Sequence, residues 1–166
     1  QEAIEATRNA VLIKPDYTEA HYNMGNALRA QGKFKDAILA YNKAISIKPD
    51  FAEAYYNMAI ALKDQDKLEE AIEVYRTVVS IKPDFVEAHN NIGNALKDQG
   101  KLDDAIVSYT KAISFKPDYA DAHNNMGNAL QQQSKLDEAV EAYNKAISIK
   151  PDYADAYNNM GIALGE

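Results

Sequence analysis

The stretch IKPDFVEAHNNIGNAL, residues 81–96, decides the fold because the chain carries five versions of it. IKPDYTEAHYNMGNAL (13–28), IKPDFAEAYYNMAIAL (47–62), FKPDYADAHNNMGNAL (115–130) and IKPDYADAYNNMGIAL (149–164) place Pro15, Pro49, Pro83, Pro117 and Pro151 at intervals of 34 residues. A period of this length marks one supersecondary unit written repeatedly, each copy completed by its neighbours. Such a chain offers an extended surface in place of a single catalytic cleft. The expected organisation is one array over 1–166, with a half repeat at 1–17, full repeats at 18–51, 52–85, 86–119 and 120–153, and a half repeat at 154–166. Starting and stopping mid-repeat without an initiator Met, the sequence reads as a piece of a longer protein.

Within a repeat the apolar spacing is helical twice over. His21, Met24, Gly25 and Leu28 fall at i, i+3, i+4 and i+7, one face of a first helix. After a break at Gln31-Gly32-Lys33, the residues Phe34, Ala37, Ile38, Tyr41, Ala44 and Ile45 resume the 3.6-residue rhythm. The break predicts a turn closed by a left-handed residue at Gly32 and Gly100. Asp66 and Ser134 hold that position in the other repeats, at a cost of up to about 1 kcal/mol relative to Gly. Each proline ends the second helix by pushing the preceding lysine away from the α region. Asp50/Glu53, and likewise Asp16/Glu19, Asp84/Glu87, Asp118/Asp121 and Asp152/Asp155, have the spacing of capping boxes for the next first helix. Ten helices of roughly 14 residues and ~21 Å follow.

Small residues set the packing expectation. Gly25, Ala59, Gly93, Gly127 and Gly161 share one position on the first helices, and Ala37, Ala71, Ala105 and Ala139 share one on the second. Facing each other, they would let helix axes approach to the near end of the ~8–10 Å range. A third series, Ala44, Val78, Ala112 and Ala146, points the same way, with Val78 the one bulky member.

A bulky ring, then N-[MI]-[GA], A-L, A-I, an aromatic and P at these spacings resembles the tetratricopeptide repeat over the entire chain, and in flavour the superhelices of O-GlcNAc transferases and similar bacterial arrays. The resemblance implies an all-α fold: antiparallel helix hairpins stacked into a right-handed superhelix, an α-solenoid, with first helices lining a concave groove. The sequence departs from the family pattern with His or Tyr where Trp is common, and with Ala59, Asp66 and Ser134 in glycine positions.

Candidate chemistry is sparse. His21, His89 and His123 share the ring position that Tyr55 and Tyr157 fill elsewhere, which reads as packing. A metal would need nitrogens converging at ~2.1 Å, whereas stacked repeats put these rings roughly 10 Å apart. No phosphate loop, nucleophile elbow or HExxH is present, so the chain is expected to be no enzyme and to hold neither cofactor nor metal. The functional constellation is asparagine. Asn23, Asn57, Asn91, Asn125 and Asn159 recur on every first helix, Asn26, Asn94 and Asn128 lie one turn on, and Tyr22 and Tyr56 flank them before giving way to Asn90, Asn124 and Asn158. A carboxamide can pair with a peptide unit whatever its side chain. The resemblance implies such asparagines holding the backbone of a bound chain in an open groove. The alternative is that they serve hydrogen bonds between helices. The cations of a carboxylate clamp are absent from the matching positions, which hold residues such as Tyr22, Glu53, Glu87 and Asn91.

The function expected is therefore a protein-interaction scaffold for an extended peptide or partner helix. The rivals are a segment that stacks end to end, and the substrate-selecting arm of a larger enzyme such as a glycosyltransferase. Net charge −7 argues against nucleic acid. No membrane-spanning run and no leader is visible, so a cytoplasmic location is expected; without cysteine there is no disulfide or thiolate site. Apolar residues at the two ends, Ile4, Val11 and Leu12 against Tyr157, Met160, Ile162 and Leu164, predict head-to-tail self-association of second-helix and first-helix halves.

Overall fold

The computed structural model describes residues 2–165, apart from the side chain of Ala3; Gln1, where the first helix is expected to start, and Glu166 lie outside the described residues. Among the described residues there are ten helices and no strand: α1 (Glu2–Ile13), α2 (Thr18–Ala30), α3 (Phe34–Ile47), α4 (Ala52–Lys63), α5 (Leu68–Ile81), α6 (Val86–Asp98), α7 (Leu102–Phe115), α8 (Ala120–Gln132), α9 (Leu136–Ile149) and α10 (Ala154–Gly165). They form two compact units, residues 1–83 with α1 to α5 and residues 84–166 with α6 to α10. Within each unit every helix packs on its neighbours in the chain.

The turn inside each hairpin follows from backbone sterics. Gly32 and Gly100 adopt φ of +71° and +74°, and Asp66 and Ser134 adopt the same left-handed conformation at +61° and +59°. In all four turns the last carbonyls of the first helix are paired in a 6→1 and 5→2 pattern. Lys33 N–H bonds to Leu28 O at 3.0 Å and Gly32 N–H to Arg29 O at 2.9 Å, and the set recurs at Lys67/Leu62, Lys101/Leu96 and Lys135/Leu130. This is the Schellman closure of a helix end. Between repeats, Lys48, Lys82, Lys116 and Lys150 are extended at φ −127° to −136°, as the following proline requires.

The capping boxes do not form at α2, α4, α6 and α8. The N-cap residues of α2, α4, α6 and α8 are the rings Tyr17, Phe51, Phe85 and Tyr119, and none of these helices has a side-chain cap bond. Pro and Asp are consumed by the turn, so Asp50 sits one residue too early to reach the first free N–H groups. The ring is pinned instead under the pre-proline lysine, with Lys48 Nζ 5.0 Å from the Phe51 centroid and Lys150 Nζ 4.7 Å from that of Tyr153.

The small-residue expectation is corrected in one respect. Gly25, Gly93 and Gly127 face tyrosine rings and not alanines: a Cβ on any of them would lie 2.5 Å from Cε1 of Tyr41, Tyr109 or Tyr143. These tyrosines and Tyr75 are completely buried, and the hairpins containing Gly25, Gly93 and Gly127 are each keyed by a ring pressed onto the backbone of the first helix. The alanine positions 37, 71, 105 and 139 and the series Ala44, Val78, Ala112 and Ala146 are also wholly buried; Val78 is accommodated there.

Candidate functional site

In the first unit Asn23 is exposed and Asn57 half-buried; in the second Asn91, Asn125 and Asn159 are half-buried. Three of them bond to other side chains of the protein. Asn57 Nδ2 donates to the Tyr22 hydroxyl at 2.8 Å. Asn125 Nδ2 donates to Asn90 Oδ1 at 3.1 Å, and Asn159 Nδ2 to Asn124 Oδ1 at 3.2 Å and Asn128 Oδ1 at 3.0 Å. All four bonds reach the first helix of the preceding repeat, and those to Tyr22, Asn90 and Asn124 end at the residue just before its own asparagine. Tyr22 and Asn90, Asn124 are thus interchangeable acceptors, which is why the sequence passes from ring to amide there without losing the link.

Asn26, Asn94 and Asn128 do a different job. Their Oδ1 atoms accept from the hydroxyls of Tyr41, Tyr109 and Tyr143, each at 2.8 Å. Gly and Asn at adjacent positions therefore act as a pair: Gly admits the ring and Asn pairs its otherwise buried hydroxyl. Tyr143 Oη also lies 2.9 Å from the Gln131 carboxamide, and since a phenol carries one proton, one of its two amide partners presents its NH2. Burial pushes the Tyr109 and Tyr41 phenols above their ordinary range. Tyr56 is half-buried, its ring centroid 5.7 Å from that of Tyr75.

The histidines pack as the ring position predicts, each buried to within a few per cent. They also bond in a way the sequence hid: His21 Nε2 donates to Pro15 O at 2.8 Å and His123 Nε2 to Pro117 O at 3.0 Å. The ring thereby ties the helix to the inter-repeat turn six residues back, a spacing visible in the sequence but without meaning until the turn is built. No group of three potential metal ligands occurs among the described residues, and none of their helices is long and apolar enough to cross a membrane.

A sequence model of the TPR repeat matches residues 25–66, 60–100, 93–134 and 127–166. The chain belongs to the tetratricopeptide repeat family. TPR arrays are generally non-catalytic modules for protein interaction. Among solved structures, a MamA protein is 30% identical over 89% of this chain and 81% of its own, with a TM-score of 0.81. MamA from Desulfovibrio magneticus RS-1 is 22% identical over 92% of this chain and 86% of its own, at 0.83. YrrB, described as a TPR protein with an unusual peptide-binding site, is 24% identical over 95% of this chain and 81% of its own, at 0.80. The latter two likenesses are likenesses of fold. No curated protein sequence matches the chain.

Proposed function

We propose that this TPR chain is a non-catalytic scaffold that holds an extended peptide against its first helices, through the asparagine positions and the flanking Tyr22 and Tyr56. The observation that carries the reading is the one-sidedness of the rungs. Asn57, Asn125 and Asn159 spend an N–H on the preceding first helix, which fixes the carboxamide and leaves its carbonyl oxygen without a hydrogen-bond partner among the described residues. One turn earlier on the same side stand the exposed carboxylates Glu53, Asp121 and Asp155. Within each unit these acceptors and acids select donors: the backbone N–H groups of an extended strand, with lysine or arginine side chains favoured. The first-helix cations stand away from these rungs. Arg29 and Lys63 are six residues on, about 9 Å along the axis and some 240° around it, and Lys97 is paired with Asp98 at 2.9 Å.

An array of extended peptides differing only in charge tests this. Basic members should bind the chain best, with affinity falling as salt is raised across the Debye range. Preference for acidic peptides, or binding indifferent to replacement of Asn57, Asn125 and Asn159 by Ala, refutes it.

The exposed apolar residues at the ends, Leu12 and Ile13 on α1 and Ile162 and Leu164 on α10, favour the second reading, head-to-tail association. Thr7 limits it. α1 carries Thr7 where α3, α7 and α9 carry the tyrosine that fills the glycine position, so α1 docked on α10 would leave the space over Gly161 unfilled. Sedimentation of the chain over a concentration series separates the readings, because peptide binding requires no self-association.

A further inference from the structure

In the second unit the ring that opens α10 is bonded to the preceding first helix: the Tyr153 hydroxyl donates to Asp121 Oδ1 on α8, 32 residues back, at 2.8 Å. The same separation in the first unit sets Phe51 against Glu19 on α2. Phenylalanine has no hydroxyl to donate. Glu19 is exposed and forms no hydrogen bond or ion pair with another described residue. The residue three places on from each acid differs as well: buried Asn124 follows Asp121, whereas half-buried Tyr22 follows Glu19. The Tyr22 ring lies 4.9 Å from that of Phe51 and 6.1 Å from that of the buried Tyr41, centroid to centroid, and its hydroxyl accepts from Asn57. Residues three apart lie on one side of a helix. An unpaired carboxylate and a fixed aromatic ring therefore stand together on α2, where α8 has a paired carboxylate and an amide.

From this we propose that the first unit seats an arginine side chain of the bound peptide, at Glu19 and Tyr22; the proposal rests on the peptide-binding reading and adds the residue by which the peptide is recognised there. A guanidinium is planar, presents a fork of N–H donors that matches a carboxylate at two points, and stacks on aromatic faces. Glu19 supplies the carboxylate and Tyr22 the ring. A lysine ammonium is a compact charge that neither forks nor stacks, so it meets only part of this pair. Phe51 acts by leaving Glu19 unpaired. One of its own faces is taken, with Lys48 Nζ 5.0 Å from the ring centroid, and that lysine makes no ion pair with Glu19. Glu53, exposed on α4 one turn before Asn57, adds to the negative potential that draws a cation to this face.

Fluorescence anisotropy with the whole chain and three labelled extended peptides, identical but for a central arginine, lysine or citrulline, tests the seat. The arginine peptide should bind about fivefold or more tightly than the lysine peptide, and citrulline, which keeps the shape of arginine without its charge, should lose that advantage. Phe51→Tyr introduces a ring already present at this position as Tyr17, Tyr119 and Tyr153. It should pair Glu19 as Asp121 is paired and bring the ratio of arginine to lysine affinity close to one. Tyr22→Asn, the residue at positions 90, 124 and 158, keeps an acceptor for Asn57, removes the ring and should do the same. Tyr153→Phe should leave the ratio unchanged, since Asn124 offers no ring; circular dichroism checks the helices of each variant. Equal binding of the arginine and lysine peptides, or a ratio that survives Phe51→Tyr, overturns the seat. If those peptides bind equally yet lose affinity on replacement of Asn57, Asn125 and Asn159 by Ala, the seat falls and the asparagine reading stands; if none of the peptides binds, both fall.

Discussion

Replacing Gly93 by Ala probes the contact on which each hairpin turns. A Cβ there would lie 2.5 Å from Cε1 and 2.7 Å from Cδ1 of Tyr109, so the ring has to retreat by roughly 1 Å to regain an ordinary contact distance. It has nowhere to go: the side chain is completely buried, and its hydroxyl lies 2.8 Å from Asn94 Oδ1. Overpacking costs about 1–3 kcal/mol, and stretching or losing the hydroxyl bond adds about 1 kcal/mol. Helix propensity returns about 1 kcal/mol, because Ala is the better helix former. The net is a destabilisation of about 1–3 kcal/mol, or a fall in Tm of roughly 3–10 °C for a chain of this size.

Gly161 supplies the control. It occupies the same position on α10, yet nothing lies within 4 Å of a Cβ built on it, so Gly161→Ala should leave Tm unchanged or raise it. The repeat at 52–85 already carries Ala59, and with it Ile60 in place of asparagine. Gly93→Ala combined with Asn94→Ile should therefore cost less than the two single changes added together, because the displaced hydroxyl no longer needs its amide. Thermal and urea melts followed by circular dichroism measure all four variants. Equal shifts for Gly93→Ala and Gly161→Ala, or strict additivity at 93 and 94, would refute the ring-on-glycine argument.

At the hairpin turns, Asp66→Gly and Ser134→Gly should each stabilise by up to about 1 kcal/mol by relieving a left-handed φ, while Gly100→Ala should destabilise by a similar amount; urea midpoints decide. Ala at Asn57, Asn125 and Asn159 together should lower Tm by several degrees as well as weakening peptide binding, since each side chain carries an inter-repeat bond of about 0.5–1.5 kcal/mol; an unmoved Tm would show those bonds to be idle. Stability should fall above pH 10. Burial raises the Tyr41 and Tyr109 phenols, and burial followed by the Asp121 carboxylate raises that of Tyr153, which donates to it at 2.8 Å. A folded value above the unfolded one near 10 contributes stability that is complete below pH 10 and is lost as pH climbs toward the folded value. Tm measured from pH 8 to 11.5 should bend downward past 10, less steeply in Tyr109→Phe, and a flat profile would contradict the burial.

The 34-residue period, the helix pairs and the left-handed turn residues were legible in the sequence because each depends on neighbours a few residues apart: apolar spacing, a proline and the sterics of one φ angle. Even Asp66 and Ser134 could be placed, since the period forces them into the conformation that Gly32 and Gly100 adopt freely. The capping boxes were misread for a local reason, a one-residue offset that only the built Pro-Asp turn reveals. What the asparagines bond to belonged to the tertiary structure. Asn94 meets Tyr109 fifteen residues on, and Asn125 meets Asn90 thirty-five residues back. Such pairs depend on how far one helix is rotated against the next and on which rotamer the core leaves open, quantities that a repeat fixes in every copy but does not spell out in any. The same holds for His21, whose position in the sequence is that of a packing ring. Only the built turn shows that its Nε2–H donates to the Pro15 carbonyl while Nδ1 stays buried and unpaired.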